Sequence, residues 1–112
     1  MSIENWSENI LVVELQDDPA FSDDLTALTD QLESRQDVDV VLSLAAVKYL
    51  NSSNIAKLLK IRKKLITSKH RLVLCGIDTS IWGLFLVTGL DKVFEFADNL
   101  ANALASVQLH AD

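Results

Sequence analysis

The chain has 112 residues with a formal net charge of −6, three glycines, one proline and one cysteine. That length suits one hydrophobic core, the 49% apolar content excludes a disordered chain, and the lone Cys75 excludes an internal disulfide framework. The acid excess disfavours nucleic acid or an anionic membrane as the main partner. No apolar run reaches the roughly 18 residues that span a bilayer, and Met1 to Trp6 lacks the basic and apolar regions of a leader. The expectation is a soluble, cytoplasmic protein, one domain over 1–112, without membrane insertion.

In chain order, Ile10 to Leu15 is apolar apart from Glu14 and reads as the first strand. The residues before it form either an irregular arm or an edge strand. Gln16-Asp17-Asp18-Pro19 is a loop. Ser22 is the expected N-cap of a helix running to about Gln36, with Asp23 and Asp24 in its first turn, where the macrodipole favours anions. Leu25, Leu28, Thr29 and Leu32 share one face of that helix. Asp37 to Val47 holds Val40, Val41, Leu42 and Leu44, a run suited to a strand covered on both faces.

The tetrad Asn51-Ser52-Ser53-Asn54 then feeds a helix. At 100° per residue, Ile55, Leu58, Leu59, Ile61, Leu65 and Ile66 fall on one broad face, with Lys57, Lys60 and Lys64 opposite. Arg62 lands inside the apolar stripe, so it must reach the rim or the helix is rotated from this estimate. Arg71 to Gly76 is a third buried strand, in which Cys75 packs as a small hydrophobe. Asp78-Thr79-Ser80 caps a helix carrying Ile81, Trp82, Leu84, Phe85 and Val87, and Gly89 terminates it in left-handed geometry. Trp82 belongs at least partly in the core. Val93 to Ala97 is a short strand, and Asp98-Asn99 caps a last helix with Leu100, Ala103, Leu104 and Val107. Strands alternating with helices define an α/β fold whose sheet has a strong parallel component.

Enzyme constellations are poorly represented. The glycines are scattered, no Cys/His cluster has metal-ligand spacing, and His70 and His110 fall at a helix end and in the tail. The expectation is a non-enzyme with no cofactor, no metal site and no catalytic residue. Residues 1–39 carry 11 Asp or Glu against Arg35 alone, and residues 57–71 carry seven Lys or Arg. These read either as ordinary solvated faces or as a polarised surface that orients a partner. The tetrad also has two readings. Asn51 or Ser52 simply caps the helix, at roughly 1 kcal/mol, or one serine accepts a phosphate at the positive helix end. The residues alone favour the cap.

The run Val40-Val41-Leu42-Ser43-Leu44, followed by Val47 to Ile55, resembles the core signature of STAS domains, shared by anti-sigma-factor antagonists and sulphate transporters. Arg71 to Gly76, Leu86 to Phe94 and the closing Asn99 to Val107 helix resemble the family's later elements, so the likeness covers about residues 8–108. It implies a STAS-like mixed sheet of four to five strands with about four helices. It further implies a module that binds an anti-sigma factor or serine kinase and acts by partner switching. Ser52 is then the phosphorylation site, a phosphatase is the resetting partner, and Asn51, Ser52, Ser53, Asn54 and Lys57 form the partner-binding surface. Asn51 stands where the family usually has Asp, and Asn54 where it has Gly. The alternative is a non-phosphorylated STAS scaffold, a subunit of a larger signalling or lipid-transport complex.

Overall fold

The computed structural model describes residues 3–109. Five strands form one sheet in the order β1 (Ile3–Ser7), β2 (Ile10–Gln16), β3 (Asp39–Ala46), β4 (Leu72–Cys75), β5 (Glu95–Ala97). The segment before the first expected strand is thus an edge strand, antiparallel to β2, while every other pairing is parallel. The helices are α1 (Ala20–Ser34), α2 (Ser52–Thr67), α3 (Thr79–Val87) and α4 (Leu100–Leu109), with a short 3₁₀ turn at Leu90–Lys92. The mixed sheet and four helices match the expected architecture. His110 lies outside the described residues.

Side-chain alternation divides the core in two. Val40, Leu42 and Leu44 of β3 pack with Leu25, Leu28 and Leu32 of α1, Leu58, Ile61 and Leu65 of α2, and Phe85 of α3. Val41, Val73 and Cys75 face the other way and pack with Ala103 and Val107 of α4. β3 is therefore covered on both faces, as its unbroken apolar run requires. Arg71 fastens α4 to the sheet, donating to both carboxylate oxygens of Glu95 and to Ser106 O at 2.9 Å. Cys75 is fully buried, and that burial pushes its thiol above the ordinary range.

Three sequence expectations need correction. The first helix begins at Ala20, before Ser22, because the Asp18 carboxylate takes the capping role: its Oδ1 accepts from Ser22 N at 2.9 Å and Ser22 Oγ at 2.7 Å. It also ends at Ser34, before Gln36. On α2 the buried stripe is narrower than the wheel suggests. Leu59 and Ile66 are 37% and 52% exposed, because the helix is turned to bury Asn54, Leu58, Ile61 and Leu65. That rotation brings Arg62 to the rim, where its Nε donates to Val93 O at 3.1 Å. His70, just beyond the end of α2, is held in place: Nδ1 lies 3.1 Å from Asp39 Oδ1, and both residues are mostly covered. Trp82 packs edge-on against Phe96 at 5.1 Å, in keeping with a partial core role.

Candidate functional site

Parallel pairing places the loops after β2, β3 and β4 at one end of the sheet, the end where open α/β folds carry their sites. Gln16 and Ala46 are paired at the tips of β2 and β3, so the loop 47–51 runs beside the loop 17–19. Asp17 joins them directly: its Oδ1 accepts from Lys48 N at 2.8 Å and Tyr49 N at 3.1 Å. These two backbone donors, left without a strand partner as the chain departs from the sheet, are satisfied from the neighbouring loop.

Asn51 caps α2 in a reciprocal box with Asn54. Asn51 Oδ1 accepts from Asn54 N at 2.8 Å, and Asn54 Oδ1 accepts from Asn51 N at 3.0 Å. The remaining group of Asn54, its Nδ2, donates to Asp18 Oδ2 at 2.9 Å. Both polar atoms of this amide thereby have a partner, which allows its side chain to be buried at 3% exposure. The same bond, with those from Ser22, holds the Asp18 carboxyl below its ordinary range. Asn54 thus shapes the tetrad from inside, and its side chain is not part of the outer surface on which the resemblance would place it. Its role in α2 is that of Glu or Gln in a standard capping box, carried here by a shorter amide.

Ser52 and Ser53 occupy the first two positions of α2 and are exposed. Among the described residues Ser52 Oγ has no hydrogen-bond partner. Ser53 Oγ accepts from Lys57 Nζ at 3.1 Å, one helical turn on. The cap uses Asn54 N, and Ile55 N bonds to Asn51 O at 3.1 Å. The amides of Ser52 and Ser53 are the two donors that this arrangement leaves over, at the positive end of the helix. The structure brings the tetrad and Lys57 together, with Asn51, Ser52 and Ser53 exposed, Lys57 half-buried and Asn54 turned inward. By sequence alone Asp17 and Asp18 are only loop residues. Their partners in this site, Lys48, Tyr49 and Asn54, lie more than 30 positions away, and nothing local signals such a contact. Among the described residues no group of three or more His, Cys, Asp or Glu is arranged to hold a metal ion, and no helix is long and apolar enough to cross a membrane.

These features define a small α/β domain whose distinctive surface is a polar strand-to-helix loop with an exposed serine pair. The STAS domain profile matches residues 3–103, and the chain belongs to that family. It is 30% identical over 83 residues to an anti-sigma F factor antagonist of Paenibacillus polymyxa, covering 73% of this chain and 70% of that protein. Its fold is similar to that of a serine-to-glutamate variant of RsbS from Moorella thermoacetica, with TM-score 0.82, 19% identity, and 97% and 95% of the two chains covered. It is also similar to the Bacillus cell fate determinant SpoIIAA in its phosphorylated form, with TM-score 0.72, 16% identity, and 94% and 96% covered.

Proposed function

We propose that this protein is a cytoplasmic anti-sigma-factor antagonist that acts by partner switching, with phosphorylation of Ser52 as the release signal. The observation that carries this reading is the separation of Ser52 from the cap. The hydroxyl is exposed at the first position of α2, while Asn51 and Asn54 hold the helix end without it. A phosphate there adds about two negative charges at a positive helix end and breaks no existing side-chain bond. The domain therefore keeps its fold while its surface changes sign. An anti-sigma factor or serine kinase seated on Asn51, Ser52, Ser53 and Lys57 meets that charge and bulk inside the interface, where an unpaired charge costs several kcal/mol. A phosphatase returns the unphosphorylated surface. The similarity to an anti-sigma F factor antagonist and to a fold solved in a phosphorylated form supports the same reading. In this scheme the chain is a binding module and performs no chemistry itself.

The test has two parts. Protein isolated from its native cell, analysed by intact mass and site mapping, is expected to carry phosphate on Ser52 under one of growth or stress. Absence of phosphate under both assigns the chain instead to a constitutive scaffold. In binding assays with the kinase or anti-sigma factor captured from the same cells by the Ser52→Ala variant, Ser52→Ala retains binding and Ser52→Asp loses it. Equal binding by the two variants rules out the switch.

A further inference from the structure

The cations of residues 57–71 are not spread evenly over the surface. The C-terminal halves of α1 and α2 flank a groove of about 420 Å³, lined among others by Leu32, Arg35, Lys60, Lys63, Lys64 and Leu65. Four cations line this groove and no carboxylate does. One of them is answered from the rim: Lys64 Nζ pairs with Glu33 Oε1 at 2.5 Å, which holds the Glu33 carboxyl below its ordinary range. None of the other three has a direct ion pair among the described residues, although the Glu33 carboxylate also feels the charge of Lys60. Arg35 donates to Asn5 Oδ1 and, at 2.8 Å, to Glu8 O. Both acceptors are neutral, so the guanidinium is held in position without a bonded carboxylate. Lys60 and Lys63 are exposed and make no hydrogen bond or ion pair among the described residues. Leu32 and Leu65 are buried beneath them, and the lysine stems add apolar walls.

We infer that this groove docks an acidic, partly apolar polypeptide segment of a partner protein. Its charge calls for carboxylates, and its floor and walls call for an aliphatic side chain between them. The rest of the molecule selects the length. The chain carries a net charge of −6, and charges are felt over a Debye length of about 8 Å at physiological salt. A short acidic segment lies within the field of the groove. A nucleic acid or a membrane surface extends beyond it and meets the acidic remainder. A second copy of the chain fits poorly, because its described carboxylates sit on folded strands, helices and tight loops and not on a slender free segment. The groove lies toward the opposite end from Ser52 of a 16-residue helix, about 24 Å long. The inference therefore stands apart from the phosphorylation reading.

The test uses the full chain and a labelled peptide alternating Glu and Leu, followed by fluorescence anisotropy at low salt and at about 0.3 M salt. Binding is expected at low salt and weakens as salt rises. Lys60→Glu combined with Lys63→Glu lowers affinity about tenfold or more. Lys60→Gln combined with Lys63→Gln, which introduces no repulsion and endangers the fold less, lowers it by a smaller factor. Lys92→Glu, an equal charge change per site on the 3₁₀ turn and outside the groove lining, leaves it unchanged. Amide shifts on adding peptide map to Gln36, Lys60, Lys63 and Thr67. Failure to bind at low salt, equal binding by the glutamine variant, or tighter binding of a single-stranded oligonucleotide or phosphatidylserine vesicles overturns the inference. So does self-association, measured by sedimentation, that the double reversal abolishes.

Discussion

At the β3–α2 junction the helix is capped by Asn51, a neutral amide answered by Asn54; at the β4–α3 junction the cap is Asp78, a carboxylate. Asp78 Oδ1 accepts from Ser80 N at 2.8 Å, its other oxygen pairs with Lys48, and these bonds hold its carboxyl well below the ordinary range. The backbones differ as well. The α3 junction turns through Gly76 at φ +68, whereas no residue between Val47 and Asn54 has positive φ. The start of α3 therefore carries a fixed anion matched to its dipole, with Lys48 as counter-ion. The cap of α2 contributes no charge, and the nearest carboxylate in its network, Asp18, is tied to the inner side of Asn54. An added anion at α3 would meet a charge of its own sign, and at α2 it would meet the unneutralised dipole. Two helix starts at one end of a sheet are thus unequal receptors for a phosphate.

Three experiments break or sharpen that comparison. The largest effect is expected from Asn54→Ala. It removes half the capping box and leaves Asn51 N and Asp18 Oδ2 without their partner, at a cost of about 2–3 kcal/mol in denaturant unfolding. A loss below about 0.5 kcal/mol would mean that water replaces the amide without penalty. Gly76→Ala comes next. The new Cβ sits 3.3 Å from Ala45 Cβ with φ held at +68, and the left-handed geometry alone costs about 1–2 kcal/mol. Alanine at any of positions 47–50 should carry no such backbone penalty. The smallest effect is electrostatic. The Asp78 carboxyl is depressed from an ordinary value of 3.8, so the stability it contributes is present above about that pH and is lost as pH falls through the lower folded value. Asp78→Asn should flatten the acid limb of the stability curve, measured by thermal melts across pH 2 to 6. Asp18 titrates in the same direction, so a residual slope is expected. Asn51→Ala, by contrast, should lower stability equally at every pH in that range.

The elements and their order were legible because each rests on a local pattern. The apolar run of β3, the amide at Asn51 and the left-handed Gly89 at φ +75 each report on their own few residues. The tetrad stood out for the same reason, since it lies where a buried strand gives way to helical periodicity, but that pattern alone favoured a cap, and the choice of Ser52 rests on the family resemblance. What escaped is what depends on distant parts of the chain. The rotation that exposes Leu59 and Ile66 is set by neighbours across the sheet, with Arg62 reaching Val93 O. The inward turn of Asn54 is set by Asp18, which lies 36 positions away and is already committed to Ser22. A helical wheel knows the period of a helix but not the direction of its partner. A capping preference names a residue type but not the side chain waiting across the gap.

The buried position of Cys75 supplies a clock for the whole molecule. Its thiol lies in β4 against α4, fully covered, and burial disfavours the reactive thiolate. A thiol reagent can reach it only when the sheet and α4 part, so its labelling rate reports the frequency of that opening. Events at the tetrad leave the clock running at its own pace unless they loosen the core, which makes the single cysteine an internal standard for separating a change of surface from a change of fold.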